Sequence, residues 1–389
     1  VSSSRNLLAI SLVGLGLCAC GGEGGPGQDE TDTSGDEGDP LLELPEDFPA
    51  PAIPESNQLT AAKIELGRHL FYAEELSANQ TMSCGSCHLQ ELGFSDGEVT
   101  PIGSTGEALT RNSMGLTNAA YASKLTWANP NLDQLEQQIA IPMFGEFPVE
   151  LGITGHEDEV LARFAEDPTY VAMFEAAFPD ASELVSFDHI IDALACFVRV
   201  LISGDSPYDR YRRGDQAAIS ESAARGAALF FSETLECHHC HGGFNFSLAT
   251  RHANTTFTQN AFQNTGLYDI DGAGSYPPDN RGIYEFTFAD TDMGRFRPPS
   301  LRNIAVTGPY MHDGSVATLG EVLDIYAAGG RVVAEGEPWA GDGRANPYKS
   351  GLVAGFELSD QDREDVLAFL TSLTDDSFLT DPRFADPSP

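Results

Sequence analysis

Cys84-Gly85-Ser86-Cys87-His88 and, much further along, Cys237-His238-His239-Cys240-His241 repeat one spacing of two thiols and an imidazole. Two residues between the cysteines hold the thiols at the short separation that matches the two vinyl groups on one haem edge. The adjacent histidine then meets the iron from the same segment. The pattern, occurring twice, predicts two covalently attached c-type haems with His88 and His241 as iron ligands. A zinc site built from all four cysteines is the competing arrangement. It leaves the histidine after each pair without a role. His238 and His239, inside the second motif, are expected to shape the haem edge.

Similar text leads into each motif. Thr60 to Tyr72 places Ile64, Leu66, Leu70 and Phe71 at helical spacing, and Gly67-Arg68-His69-Leu70-Phe71-Tyr72 runs toward Cys84. Gly226-Ala227-Ala228-Leu229-Phe230-Phe231 runs toward Cys237 in the same way. A helix with Gly-x-x-Leu-Phe-aromatic, a short loop and an attachment site therefore repeats. Each half closes on an amphipathic helix, about Asp188 to Ile202 and about Asp360 to Leu373, the second with Ser359 as its N-cap. Gly204, Pro207 and Gly214 mark a boundary near Ser203 to Ala217. No long alternating run of apolar residues appears, so strand content should be low. Gly/Pro-rich loops abound, especially from Phe244 to Pro298. Small helical domains tolerate such loops when a haem replaces missing apolar core. The fold class is all-α, with one haem in each of two tandem domains, 51–208 and 209–380.

The 389 residues carry a formal net charge of −38. That argues against nucleic acid, whose binders need a Lys/Arg footprint, and against docking on anionic lipid through basic patches. A macromolecular partner should be basic or neutral at its contact face. At the N-terminus, Arg5 precedes a short apolar run, Leu7 to Leu17, too short to span a bilayer. Leu17-Cys18-Ala19-Cys20-Gly21 resembles a bacterial lipobox. Residues 1–19 are expected to be a signal peptide and Cys20 a lipid anchor, with a plain secretory signal as the alternative. Residues 20–50, rich in Gly, Asp and Glu, read as a disordered acidic tether. The expectation is an exported periplasmic or cell-envelope lipoprotein. Of seven cysteines, only Cys196 falls outside signal and motifs. It lies in an apolar helical stretch and reads as a small buried hydrophobe.

From about Leu59 to Thr374 the chain resembles the MauG and bacterial di-haem cytochrome c peroxidase superfamily, and within it the MbnH-type enzymes of methanobactin-type cassettes. The matching text is Leu66-Gly67-Arg68-His69-Leu70-Phe71-Tyr72, Thr126-Trp127-Ala128-Asn129-Pro130, Pro142-Met143-Phe144-Gly145-Glu146, Gly242-Gly243-Phe244-Asn245-Phe246, Ser300-Leu301-Arg302-Asn303 and Pro309-Tyr310-Met311-His312-Asp313-Gly314-Ser315. The resemblance implies two cytochrome c-like domains. It makes the His88 haem the open, peroxide-binding site. The distal segment matches Gln138 to Pro142 followed by Pro148-Val149-Glu150. Glu150 would then be the acid–base group, since one carboxylate can take a proton from one peroxide oxygen and deliver it to the other. Gln138 would orient peroxide or water. The spacing from Pro142 to Glu150 is two residues longer than in the MauG pattern, which keeps Glu146 as an alternative.

Opposite His241, cytochrome c peroxidases offer Met and MauG-like enzymes Tyr. The matching helix, Val322-Leu323-Asp324-Ile325-Tyr326, supplies Tyr326, with Met311 as the alternative. A phenolate favours high-valent iron and a thioether the reduced state. Trp127 matches the tryptophan that bridges the haems. Trp339, in a Gly/Pro-rich loop, is either a packing residue or an exit point for oxidising equivalents. The family's calcium ion would take Asn112, with backbone carbonyls near Arg297 and Pro299. Gln263 stands where many relatives have His.

The implied activity uses hydrogen peroxide to form a high-valent state shared by two haems. That state would oxidise a residue, by resemblance a tryptophan, of a partner protein. Two alternatives stand beside it. One is a cytochrome c peroxidase drawing electrons from a small redox protein. The other is a non-enzymatic electron-transfer cytochrome with both irons six-coordinate.

Overall fold

The computed structural model describes residues 39–257 and 261–388. Residues 1–19, the expected signal peptide, and Cys20, the expected lipid site, lie outside the described residues. The helix Ala61–Tyr72 begins at Thr60, whose hydroxyl accepts the Lys63 amide, and buries Leu66, Gly67, Leu70 and Phe71. It crosses Phe187–Arg199, which is capped by Ser186 and buries Ile190, Ala193, Leu194 and Phe197. The crossing point is Gly67: a Cβ there would lie 2.0 Å from the Ala193 carbonyl oxygen. The second half repeats this arrangement. Glu221–Phe230 crosses Asp360–Thr371, and a Cβ on Gly226 would lie 1.8 Å from the Asp365 carbonyl oxygen. The glycine of the sequence repeat is thus where two helix backbones touch, and the Leu-Phe-aromatic text that follows faces the core beside them.

Gly226→Ala tests this. Alanine is the better helix former by about 1 kcal/mol, yet the added methyl has no room. Separating the helices should cost roughly 1–3 kcal/mol net, read as a lowered urea midpoint with an unchanged slope.

The closing helices end at Arg199 and Thr371, two or three residues before the apolar pattern does. Ser359 caps the second through a reciprocal pair with Asp362. Helices dominate, and the one regular strand pair among the described residues joins β1 (Val332–Val333) to β2 (Gly341–Asp342), antiparallel.

Apolar side chains gather in three clusters. The first surrounds Leu66, Leu70, Phe71 and Phe197. The second surrounds Phe230, Phe246 and Phe369. The third, around Phe262, Tyr276 and Phe296, lies under the long loops and holds them by aromatic packing where helices are few. Buried polar bonds tie the halves together. Asn303 donates to Thr117 and Ser203, and Asn118 donates to Asn245. The Asp375 carboxylate accepts from the Ser203 hydroxyl and from the amides of Gly204 and Asp205.

Two boundaries move. The expected tether 20–50 overlaps the folded body at its C-terminal end, because Leu42 and Phe48 are buried. Phe48 packs edge-on against Phe244 and Tyr121. An acidic stretch with two well-placed apolar residues can still gain from burying them. At the other end, the chain past 375 returns to the first half. Phe378 and Phe384 join the first cluster, and Tyr72 donates to the Phe384 carbonyl at 2.6 Å. Average polarity conceals such isolated anchors.

Candidate active site

The first attachment motif opens onto a cavity of about 430 Å³. Cys84, Cys87 and His88 line one side, and Gln138, Pro142 and Glu150 line it as well. Toward the second half it is bounded by Asn112, Trp127, Arg297 and Met311.

His88 is held by its far nitrogen. Nδ1 donates to the Phe94 carbonyl at 2.7 Å, which leaves Nε2 as the nitrogen free to ligate. Phe94 has φ +62° directly after Gly93, also at +62°, and this left-handed pair turns the carbonyl back onto the ring. His241 repeats the device. Its Nδ1 is 3.2 Å from the Phe246 carbonyl, and Phe246 has φ +48°. Burial pushes His241 down to about 4 and lowers His88 as well, so both rings are neutral, as iron ligands must be. These carbonyl partners are functional groups that sequence reasoning missed. The only signal was an aromatic residue five or six positions after each histidine.

Glu150 and Glu146 part company. Glu150 is half-buried on the cavity wall, and burial alone pushes its carboxyl up to about 7. Glu146 is exposed at the turn that pairs with Val149, and it is not among the lining residues. Gln138 sits on the helix Leu135–Phe144. Pro142, four residues on, lacks the amide that would bond the Gln138 carbonyl. The side-chain Oε1 of Gln138 is buried with no hydrogen-bond partner. Such an orphan calls for a donor supplied by water or ligand.

Trp127 donates from Nε1 to the Asn112 carbonyl at 2.8 Å, and its own carbonyl accepts the Arg297 amide at 2.8 Å. It therefore stands where a segment of the first half meets one of the second. Arg297 is enclosed with it. Its guanidinium donates to the Thr126 carbonyl and to the Met114 sulfur, and burial lowers it to about 10. No carboxylate pairs with it among the described residues. A partly buried cation that loses water without gaining a countercharge is costly, and a haem propionate has the charge and reach to supply one. Paired thiols, anchored imidazoles, an orphaned amide and an unpaired guanidinium together fit haem.

Tyr326 lies on the helix Leu319–Ala327. Burial raises its phenol, and the thiols of Cys240 and Cys237 raise it further, so the phenol lies within electrostatic reach of the second motif. Met311 instead lines the cavity of the first. Asn112 donates from its side chain to the Glu98 carbonyl at 2.8 Å, and Asn112, Arg297 and Pro299 line the same cavity. Gln263 pairs through its backbone with Phe296. Cys196 is fully buried, with its thiol toward the Asn57 side chain, in keeping with a packing role. Trp339 is 48 % exposed beside β2, at φ +63°, so it is not a core residue.

The di-haem cytochrome c peroxidase family matches residues 61–217. The methylamine utilization protein MauG of Methylorubrum extorquens is 33 % identical over 323 residues, covering 82 % of this chain and 80 % of that protein. A cytochrome-c peroxidase of Denitromonas iodatirespirans is also 33 % identical, covering 89 % and 88 %. Among solved structures, a MauG-like protein associated with microbial copper homeostasis is 50 % identical, with a TM-score of 0.87 over 89 % of this chain and 98 % of that one. The diheme peroxidase BthA of Burkholderia thailandensis, 18 % identical with a TM-score of 0.63, shares the fold. Site and likeness define a haem-dependent peroxidase-type oxidoreductase. The chain belongs to the MauG and di-haem cytochrome c peroxidase family, whose membership implies haem c cofactors.

Proposed function

We propose that this protein carries two covalent haems and uses hydrogen peroxide to oxidise a residue, by resemblance a tryptophan, on a partner protein. The observation that carries the reading is Glu150, raised to about 7, on the wall of the cavity that His88 lines. Cys84 and Cys87, and Cys237 and Cys240, would hold the haems, which when bound would supply O–O cleavage and storage of two oxidising equivalents. Glu150 takes the proton from one peroxide oxygen and delivers it to the other, which leaves as water. Gln138, with its orphaned Oε1, orients the peroxide by accepting its remaining O–H. Trp127 links the two halves for passage of a hole. Tyr326 favours the oxidised form of the second centre. Arg297 neutralises a propionate. Division into haem domains 51–208 and 209–380, periplasmic export with a lipid on Cys20, and calcium at Asn112 belong to the same reading.

Peroxide arrives neutral at ordinary pH, so Glu150 must be ionised to act as base. With a carboxyl near 7, the rate of reaction should rise as pH rises through about 7 and level off above it. Stopped-flow rates between pH 5.5 and 9 check this, and Glu150→Gln should remove the inflection. One equivalent of peroxide mixed with ferric protein should alter both haem spectra and leave two oxidising equivalents titratable. No spectral reaction would select the electron-transfer alternative. A cytochrome c peroxidase remains the second reading, favoured by the peroxidase relatives and by a charge of −38 suited to a basic donor. Fast turnover with reduced cytochrome c, without a long-lived oxidised state, would select it.

A further inference from the structure

Outside the cavity, the two residues between the thiols of the second motif meet a carboxylate from the preceding turn. His238 Nε2 is 3.5 Å from Glu233 Oε1, and His239 Nε2 is 3.3 Å from Glu233 Oε2. The imidazole centroids are 4.2 Å apart with their planes at 32°, and the three ligand atoms lie within 4.8 Å of one another. The backbone sets this up. The Glu236 amide bonds the Ser232 carbonyl and the His239 amide bonds the Glu236 carbonyl, folding the segment so that Glu233 returns beside both rings. His238 Nδ1 is buried without a partner, so Nε2 is the nitrogen that ring offers outward. The Glu233 side chain is 78 % exposed, which leaves room for water.

Hydrogen bonding alone accounts poorly for this convergence. An exposed glutamate is satisfied by water and has no need of two imidazoles. A divalent ion satisfies all three groups at once. Ligand atoms about 2.0–2.2 Å from a tetrahedral ion lie about 3.3–3.5 Å from each other; each nitrogen stands at that distance from one of the two Glu233 oxygens, and with one atom from each residue inside 4.8 Å a side-chain rotation closes all three on one ion. Two imidazoles and one carboxylate suit borderline ions, Cu²⁺ ahead of Zn²⁺. Calcium and magnesium require more oxygen ligands.

We propose that Glu233, His238 and His239 form a surface site for a divalent transition-metal ion, Cu²⁺ or Zn²⁺. It is separate from the irons, since it uses neither His88 nor His241. Its place on the Cys237–Cys240 turn sets a dication against the segment that carries the second attachment site.

The test uses the tag-free holoprotein, dialysed against micromolar CuCl₂ or ZnCl₂ and analysed for metal. One Cu²⁺ per chain above the iron content is expected, with nitrogen couplings in its electron paramagnetic resonance spectrum. Zn²⁺ should compete and Ca²⁺ should not. Glu233→Gln and His239→Asn should each weaken binding at least about tenfold, or 1.4 kcal/mol. Glu233 lies outside the attachment motif, so its variant keeps the test valid if His239→Asn disturbs haem loading. Failure of the wild type to retain either ion, or binding by Glu233→Gln as tight as wild type, would overturn the proposal.

Discussion

Glu150→Gln is expected to slow the reaction with hydrogen peroxide by about 10²–10⁴-fold, the usual contribution of a positioned acid–base group. The substitution is nearly isosteric and removes only the ability to take and return a proton. Haem content and thermal stability should therefore stay close to wild type. Glu150 lines the cavity with His88 and carries a carboxyl raised by burial. A raised value helps twice, because the group is a stronger base than an ordinary carboxylate and its conjugate acid still forms near neutral pH. Glu146→Gln is the matched control. That residue is exposed and lies off the cavity wall, so its replacement should leave the rate within about a factor of two. Stopped-flow mixing of ferric protein with peroxide reads both. A rate lost with Glu146 and kept with Glu150 would reverse the assignment.

Tyr326→Met should have the second large effect, on the kind of reaction more than its speed. A thioether in place of a phenolate favours the reduced iron. The potential of the second haem should rise by tenths of a volt, well inside the roughly 0.8 V that axial ligation spans. The variant should reduce more readily and accept electrons from cytochrome c. It should no longer hold two oxidising equivalents long enough to oxidise a protein. Spectroelectrochemistry measures the potential, and the lifetime of the peroxide-generated state measures the rest. The reason for expecting Tyr326 to matter is that its phenol lies within electrostatic reach of Cys240 and Cys237. Met311→Leu, on the wall of the cavity that His88 lines, should leave the potential of the second haem unchanged. A shift with Met311→Leu and none with Tyr326→Met would exchange the two roles.

Much of the proposed site was legible in one dimension because holding a haem through thiols would be a local matter. Two thiols and an imidazole must act on one rigid ring, so they fall within five residues. The glycine of the Gly-x-x-Leu-Phe repeat was legible for a similar reason: close approach of two helices permits no side chain, and the requirement shows as one residue type at one spacing. The partners of those glycines were not. Ala193 and Asp365 contribute only carbonyl oxygens to the crossings, and any residue has a carbonyl. The same holds for Phe94 and Phe246, which anchor the two histidines through their backbone. Leu42, Phe48 and Phe384 also escaped, because a few buried side chains in a polar stretch leave no periodicity to detect.

The choice between Glu150 and Glu146 shows the division most plainly. Both follow Pro142 within a few residues, and spacing could not rank them. The sequence by itself determined that two Cys-x-x-Cys-His motifs exist, that a helix leads toward each, and which residue types stand near them. Tertiary structure decided which carboxylate, Glu150 and not Glu146, lines the cavity with His88, and that Arg297 lines the same cavity with no carboxylate paired to it among the described residues. Burial is a property of what the whole chain excludes from a point, and it is burial that turns an ordinary carboxylate into one that exchanges protons near neutral pH.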